Sequence, residues 1–303
     1  MRAGVLAILL AAAAPLLAGG ARGQEMEPRT YAASPIDTNF LILGYAHTSG
    51  SVSLVPTIPI TGVEATIDSE VLAYSRTFPM FGRTASIGIA LPFVEGTVSG
   101  NVMESAKQVT RQGMDDIGLR FGINFLGSPA LTPAEFARRE PRTSIGASLA
   151  IFAPTGDYNP NHLINIGSNR WAFKPELGFS QPIGDWFVDG SAGIWFFGEN
   201  GNFFGGHSRG QEPLGLLQAH VGYNFRPGLW LAGDASYFVG GESSLDGVSG
   251  HDTLRNSRYG LTLSVPIGDG LSMKVAWSSW LKGTFGANFN TFGAALQYRW
   301  FDR

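Results

Sequence analysis

The sequence contains no cysteine and carries little charge. Without cysteine, the chain has no disulfide framework, no thiolate metal site and no cysteine nucleophile. Lysine and arginine total 21 against 24 aspartates and glutamates, so a basic surface is missing and nucleic acid is excluded as a partner. Charged residues make up 15% of the chain and aromatic residues 12%, which excludes an intrinsically disordered protein. Such a composition, with 41 glycines, is typical of a large β protein with one apolar and one polar face.

The first 23 residues have the pattern of a cleaved secretory signal. Arg2 is followed by the apolar run 3–18 and by small residues ending in Ala21-Arg22-Gly23. The run is short for a helix that stays in the membrane, so a retained anchor is the less favoured alternative. We therefore expect residues 1–23 to be removed, 24–37 to form a short periplasmic or plug segment, and 38–303 to form the folded domain.

Apolar and polar residues then alternate with period two in twelve segments. The clearest is 116–125, where Ile117, Leu119 and Phe121 alternate with Gly118 and Arg120. Most segments are about ten residues long, the length that a tilted strand needs to cross a bilayer. The twelve predicted strands are 38–48, 66–78, 84–94, 116–125, 143–153, 170–180, 186–196, 216–225, 229–239, 258–265, 271–280 and 291–300.

The two faces of these strands predict a barrel turned inside out. The apolar face is almost free of charge, and a barrel of this size cannot be filled by it, so we expect that face to contact lipid. The polar face combines glycine and serine with charged residues that we expect to line the lumen: Arg120, Lys174, Glu176, Asp189, Arg226, Asp234, Arg258, Lys274 and Arg299.

The connections alternate in length. Tight joins at 79–83, 182–185, 226–228 and 266–270 alternate with long ones at 49–65, 95–115, 154–169, 198–213 and 240–257. This asymmetry predicts an all-β, transmembrane, antiparallel up-and-down barrel of about twelve strands in the bacterial outer membrane, with the long loops outside the cell. The join 127–142 is the exception, and Thr132-Pro133-Ala134-Glu135 within it predicts a capped helical turn.

Aromatic residues lie near the predicted strand ends, where interfacial girdles are expected. The outer girdle would contain Trp171, Trp195, Phe196 and Phe197, and the periplasmic girdle Trp186, Phe225, Trp230, Tyr298 and Trp300.

Several segments resemble the family described as Putative MetA-pathway of phenol degradation. The most specific is the string NIGSNRW with KPELG, within 153–178. The others are 34–45 (SPIDTNFLILGY), 125–131 (FLGSPAL), 225–230 (FRPGLW) and 297–300 (QYRW).

The resemblance covers nearly the whole mature chain and implies an outer-membrane barrel that helps aromatic or other hydrophobic small molecules enter the cell. It carries over no site residues and no cofactor. The family is often set beside the fatty-acid and hydrocarbon transport barrels, which have a longer N-terminal plug and more strands than this chain, so delivery through the barrel wall does not follow from it.

We therefore expect a passive channel for small hydrophobic or phenol-like compounds, with no enzymatic activity, cofactor or metal. Its partners would be outer-membrane lipid, lipopolysaccharide, the solutes and the barrel-assembly machinery. Because the lumen charges have both signs, a weakly selective lining and a salt-bridged network that closes the lumen are equally compatible with them.

Two further features carry hypotheses about the route of a solute. Pro175 lies mid-strand on the predicted outward face, where a missing ladder donor predicts a bulge or a gap in pairing, and a lateral exit is the functional alternative. Tyr158, Phe203 and Phe204, together with Phe238, are candidates for an apolar capture patch in the extracellular loops.

An outer-membrane lipid hydrolase is the alternative from another class, and a structural barrel without transport is the third. His47-Thr48-Ser49 has the spacing of a base and a nucleophile on one strand face, with Asp68 and Glu70 on the next strand as orienting carboxylates. The acidic pair Asp115-Asp116 is a weak candidate for a divalent cation, and solvated loop charge is the favoured interpretation.

Overall fold

The computed structural model describes residues 26–53, 60–102 and 105–302, so the predicted signal 1–23 lies outside the described residues. They form strands β1 to β17 and a short helix, α1 (Pro133–Phe136). The strands are β1 (Thr38–Ser53), β2 (Ile60–Met80), β3 (Arg83–Val102), β4 (Ser105–Met114), β5 (Gly118–Leu126), β6 (Ser144–Phe152), β7 (Ala172–Ile183), β8 (Trp186–Phe197), β9 (Asn200–Phe203), β10 (His207–Gln211), β11 (Leu214–Arg226), β12 (Leu229–Gly240), β13 (Ser243–Leu245), β14 (Val248–Ser249), β15 (Leu254–Gly268), β16 (Leu271–Lys282) and β17 (Gly286–Phe301).

Thirteen of these strands form one closed antiparallel sheet. The barrel closes where β1 pairs with β17 along its whole length, from Thr38 opposite Phe301 to Ser53 opposite Gly286. β3 pairs with β4 in its outer half and with β5 in its inner half, so β4 and β5 together make one wall strand. The barrel therefore has twelve wall strands, and closure leaves no unpaired edge in the membrane. The predicted fold class and strand number are confirmed.

The first wall strands are longer than the sequence pattern predicts. β2 and β3 pair from Ile60 opposite Val102 down to Met80 opposite Arg83, so much of the predicted loops 49–65 and 95–115 is strand. These extensions continue beyond the lipid-facing zone, where no bilayer imposes an alternation of apolar and polar residues. A second sheet, formed by β9, β10, β13 and β14, lies in two of the predicted loops and is not foreseen by the pattern either.

The two faces of the wall have the predicted polarity. In β7 every second residue is buried, and Lys174 and Glu176 point inward while Phe173, Pro175 and Leu177 point outward. The outward side chains are apolar and exposed, for example Leu177 at 59%. A closed barrel with an apolar outer surface is the structure that lipid requires of a spanning β protein.

The predicted aromatic girdles are partly wrong. Trp171 and Trp186 are exposed on the outer surface, as expected. Trp195 and Trp230, however, are 2% and 6% exposed and share the inward parity of their strands. A position near a strand end does not determine the face of the sheet on which a residue lies. The alternation of side chains along the strand determines that face.

The predicted capped turn on the periplasmic side is present as α1. The Thr132 side chain accepts a hydrogen bond from the backbone N–H of Glu135, and the Glu135 carboxylate accepts one from the backbone N–H of Thr132. These bonds, the backbone one first, lower the pKa of Glu135 because they favour its charged form. No helix within the described ranges is long and apolar enough to cross a membrane.

We expect Leu177→Arg to lower the free energy of unfolding by about 2–4 kcal/mol, because a charged side chain near the bilayer midplane has to face lipid. Reversible unfolding from phospholipid vesicles, followed by tryptophan fluorescence, measures the change. Leu177→Phe, which keeps the outer surface apolar, is the matched control and should change the free energy much less. Equal effects of the two substitutions would contradict the assignment of Leu177 to the lipid-facing surface.

Candidate functional site

Residues 26–37 precede the first strand and run into the lumen. Tyr31 is 5% exposed, and its hydroxyl donates a hydrogen bond to Glu176 Oε1 at 2.9 Å and lies 3.0 Å from Ser148 Oγ. Its backbone carbonyl accepts from Ser144 Oγ at 2.5 Å and from Asn124 Nδ2 at 3.2 Å. These four partners come from β5, β6 and β7, so one side of the barrel wall holds the side chain and the backbone of Tyr31.

The ring of Tyr31 fits against the wall because two wall residues lack a side chain. A Cβ atom on Gly178 would lie 2.3 Å from the ring atoms Cδ2 and Cε2 of Tyr31, and one on Gly146 would lie 2.9 Å from Cδ1. Neither separation is sterically allowed. We call the surface formed by Ser144, Gly146, Ser148, Glu176 and Gly178 the Tyr31 seat.

Arg29 attaches the same segment to the adjoining strands of the same wall. Its backbone N–H donates to Asp189 Oδ2 at 2.6 Å, and its Nη1 donates to Asn224 Oδ1 at 2.7 Å. The guanidinium lies 4.9 Å from the centre of the Phe187 ring, within cation–π range. The segment therefore lies along five consecutive wall strands, β5, β6, β7, β8 and β11.

Three of the predicted lumen charges, Arg120, Lys174 and Glu176, meet beside Tyr31. Glu176 lies 3.4 Å from Arg120 Nη2 and 3.6 Å from Lys174 Nζ, and Lys174 also lies 5.1 Å from the centre of the Trp195 ring. Glu27, Tyr31, Lys174, Glu176 and Asp189 are among the residues around a cavity of about 20 Å³. That volume holds about one water molecule, so the N-terminal segment packs closely against this part of the wall.

The lumen also contains a pair formed by His220 and Asp234, and the sequence analysis missed the histidine. His220 Nδ1 lies 2.7 Å from Asp234 Oδ1, and Asp234 Oδ2 accepts from Thr262 Oγ1 at 2.7 Å. His220 is 4% exposed. Its even position in 216–225, the same parity as Leu216 and Gln218, is the signal that could have placed it inside.

The other predicted lumen residues lie apart from this cluster. Arg258 is buried and its Nη2 donates to Ser278 Oγ at 3.0 Å and to the carbonyl of Phe289. Lys274 has inward parity and is partly exposed. Arg226 and Arg299 are exposed near the periplasmic ends of β11 and β17, and Arg299 lies 5.3 Å from the Phe301 ring centre.

Above the charged cluster, the inner face of the wall becomes apolar. Trp195, Leu214, Leu216 and Phe238 pack together with Ala172 on the inner surface of β7, β8, β11 and β12. A second group packs where the loop 153–171 folds inward, with Ile164 and Ile166 against the extended parts of β1, β2, β3 and β17. The outer half of the lumen thus carries two apolar groups on its inner face, with buried Arg258 beside the second of them.

Asp116 holds the inward loop in place. Its Oδ1 accepts from the backbone N–H of Gly156 at 2.9 Å, and its Oδ2 accepts from the backbone N–H and the hydroxyl of Ser168 at 3.1 and 2.5 Å. Gly156 and Gly167 approach so closely that a Cβ on Gly156 would lie 2.7 Å from Gly167 Cα. Residues of the string APTGDYNP…NIGSNRW thus serve to anchor this loop to Asp116.

The interpretation of Asp115-Asp116 as solvated loop charge is wrong. Asp115 is 2% and Asp116 1% exposed, and the backbone N–H of Asp116 donates to Asp115 Oδ1 at 2.7 Å. Within the described residues, no group of three or more His, Asp or Glu side chains is arranged to hold a metal ion.

The three loop capture candidates lie in one region but are not an open patch. Phe203 is 3% exposed and packs with Leu245 and Phe204. The Tyr158 hydroxyl donates to the carbonyl of Asn202 at 3.0 Å. Arg209 is buried beside them, 5.5 Å from the Phe203 ring centre, and burial lowers the pKa of this arginine to about 10, against the opposing effect of Asp252.

Pro175 faces outward in β7 without a bulge. Leu149 of β6 lies opposite Pro175. On the other side the ladder with β8 skips Lys174 and Pro175, between Phe173 opposite Phe196 and Glu176 opposite Gly193, and resumes with the same offset. The proline removes a ladder donor but does not shift the register.

The structure assembles only part of the hydrolase constellation. His47 Nδ1 lies 2.8 Å from Asp68 Oδ1 on the outer surface, and the Tyr45 hydroxyl donates to the same oxygen at 2.5 Å. Glu70 lies opposite Tyr45. Among the described residues no hydrogen bond joins Ser49 to His47, so the base and the carboxylate are together but the nucleophile is not engaged.

We expect Asp116→Ala to release the inward loop, because three hydrogen bonds to Gly156 and Ser168 are lost. Chymotryptic cleavage at Tyr158 of the folded barrel in detergent should then become several times faster than in the wild type. Glu135→Ala, which removes the hydrogen bonds of the periplasmic turn α1, is the control and should leave cleavage at Tyr158 unchanged. Equal cleavage rates in wild type and Asp116→Ala would contradict the anchoring role.

Comparisons with known proteins agree with this architecture. The family model described as Putative MetA-pathway of phenol degradation matches residues 45–300. An outer membrane channel from Pseudomonas putida F1 superposes with a TM-score of 0.76 at 19% identity, over 91% of this chain and 100% of that one.

Autotransporter barrels are more distant. The β domain of the Bordetella autotransporter BrkA gives a TM-score of 0.50 at 13% identity, over 87% of this chain and 100% of that chain. The transport unit of AIDA-I from Escherichia coli gives 0.51 at 10% identity, over 95% of each. At such identities the likeness concerns the fold alone. No curated protein matches the chain.

Proposed function

We propose that this protein is a channel for the passive uptake of small hydrophobic or aromatic compounds. The chain belongs to the family described as Putative MetA-pathway of phenol degradation, and this membership is the premise of the proposal. The barrel is located in the bacterial outer membrane. There it would be surrounded by phospholipid and lipopolysaccharide after insertion by the barrel-assembly machinery.

The observation that carries the proposal is the apolar interior of the outer half of the barrel. Polar residues are expected on the inner face of a membrane barrel. Here Trp195, Leu216 and Phe238 form an apolar cluster there. A hydrated ion or a sugar would lose hydrogen bonds to water on entering such a space, whereas an aromatic solute would not.

Below this cluster lie the charged side chains of Arg120, Lys174 and Glu176, which we call the polar floor. The polar floor supports the choice of solutes that carry one polar group. A phenol that leaves the apolar zone reaches Lys174, Glu176 and Arg120, which offer both donors and acceptors. Mixed charge at this height disfavours strong selection for either sign of ion. The two zones together fit a small molecule with an aromatic ring and a hydroxyl.

The route by which the solute leaves is a separate proposal. Pro175 lies on the lipid-facing side at the height of this floor, and its missing N–H weakens the wall locally. If the wall opens there, Pro175→Thr should restore the ladder and lower aromatic uptake several-fold while leaving ion conductance unchanged. Unchanged uptake by Pro175→Thr in vesicles would leave the axial route.

The main experiment combines conductance and uptake. Refolded barrels in planar bilayers should show a small ion conductance that millimolar phenol reduces and glucose does not. Vesicles with a lipopolysaccharide outer leaflet should take up labelled phenol several times faster with the barrel than without it. Folding is checked by the heat-modifiable mobility of the barrel on gels.

Phe238→Asn tests the apolar cluster within the same assays. Loss of an aromatic contact worth about 0.5–1.5 kcal/mol should weaken the block by phenol by about 2- to 12-fold. Leu217→Asn, on the outward face of the neighbouring strand, is the control for a polar substitution outside the lumen. A folded wild-type barrel that glucose and phenol cross equally well would overturn the proposed substrate class.

A further inference from the structure

The side chain of Tyr31 is itself a phenol, held in the lumen of a barrel proposed to admit phenols. Its hydroxyl contacts Glu176 Oε1 and Ser148 Oγ at 2.9 and 3.0 Å. Its ring covers Gly178 and Gly146, where a Cβ would come within 2.3 and 2.9 Å of ring carbons. The seat therefore matches the ring and the hydroxyl of one chemical group.

We propose that the Tyr31 seat is a binding site for a neutral phenolic solute, and that Tyr31 occupies it until a solute displaces the side chain. This inference rests on the proposed uptake function and names the place where the solute binds. Phenol needs no new space there, because it is the side chain of Tyr31 without its methylene group.

The polar partners define which solutes fit. Glu176 accepts the hydroxyl proton of Tyr31 in a hydrogen bond, and Arg120 donates to Ser148 Oγ at 3.0 Å, which leaves the serine hydroxyl to donate to the phenol oxygen. Toluene has no hydroxyl and would leave Glu176 Oε1 without its short contact, which is costly for a buried group. A carboxylate such as benzoate would face the carboxylate of Glu176 at hydrogen-bond distance.

The segment that carries Tyr31 has contacts of two kinds: the hydrogen bond from Ser144 Oγ to the Tyr31 carbonyl is buried, whereas those at the start of the segment are ones that water can replace. Arg29 and Glu27 are exposed, and the Arg29–Asn224 hydrogen bond is open to solvent. When a solute takes the seat, its hydroxyl replaces the two contacts that Tyr31 loses. The exchange therefore costs mainly the hydrogen bonds of the Tyr31 carbonyl with Ser144 and Asn124 and the local contacts of residues 26–30.

The first test removes the internal competitor. In Tyr31→Ala, half-maximal reduction of the ion current should require at least about tenfold less phenol than in the wild type, if Tyr31 occupies the seat for nine-tenths of the time or more. The current without phenol should also rise, because the lumen is wider. An unchanged concentration for half-maximal reduction in Tyr31→Ala would overturn the proposal.

The second test fills the seat in the same background. Gly178→Ala places a methyl group where the ring would lie, so the double variant with Tyr31→Ala should lose the block by phenol and keep its conductance. Gly44→Ala, on the inner face of β1 where a Cβ meets no atom closer than 3.9 Å, is the matched control and should keep the block. Block by phenol at the same concentration in both double variants would overturn the proposal.

Glu176→Gln in the Tyr31→Ala background keeps the assay informative if Gly178→Ala does not fold. A neutral amide accepts the phenol hydroxyl more weakly than a carboxylate, so the block by phenol should weaken several-fold while a block by toluene should not change. An equal loss of both blocks would overturn the assignment of Glu176.

The outcomes also separate this inference from the proposed function. Phenol uptake by the wild type, with no effect of Gly178→Ala on the block, removes the seat and leaves the channel. Phenol binding to the seat of Tyr31→Ala, with no aromatic uptake by the wild type, supports the seat and removes the channel function.

Discussion

Every feature of this protein depends on the need to pair backbone hydrogen bonds where no water is present. In lipid an open sheet edge is not tolerated, so the wall closes on itself through the full-length pairing of β1 with β17. Successive side chains of a strand point to opposite faces of the sheet. When the sheet closes, one face is therefore turned toward lipid and the other toward a narrow lumen. The inner face is then the place where the charged cluster of Arg120, Lys174 and Glu176, the His220–Asp234 pair and the N-terminal segment are brought together.

The fold could be predicted from the sequence because lipid imposes the alternation that the pattern detects. The prediction failed where that constraint ends. The outer parts of β2 and β3 extend beyond the lipid-facing zone, and the sheet of β9, β10, β13 and β14 is shaped by loop contacts such as those of Arg209 with Phe203. Trp195 was placed on the wrong face because it was judged by its position near a strand end, although the parity of Asp189 on the same strand places it inside.

The candidate site could be predicted only in part. Parity alone placed Lys174 and Glu176 on the inner face, and the structure brings them within 3.6 Å of each other. Tyr31 gave no signal, because residues 26–37 have no period and its partner Glu176 is 145 residues away. Gly146 and Gly178 gave none either, since in a chain with 41 glycines the two that make room for a ring look like the others. Contacts of this kind arise from closure of the barrel and not from local sequence.

A tethered side chain in the seat affects how fast a solute passes through the channel. A channel site has to bind its solute well enough to admit it and weakly enough to release it. Tyr31 competes for the seat at the effective concentration that its short tether gives it, so it lowers the apparent affinity for a free phenol without altering the seat itself. As the solute departs, Tyr31 can return to Glu176 and Ser148, and Glu176 Oε1 regains its short hydrogen bond. The contacts of Arg29 with Asp189 and Asn224 set how far the tether can move, and through it how strongly the internal phenol competes with the external one.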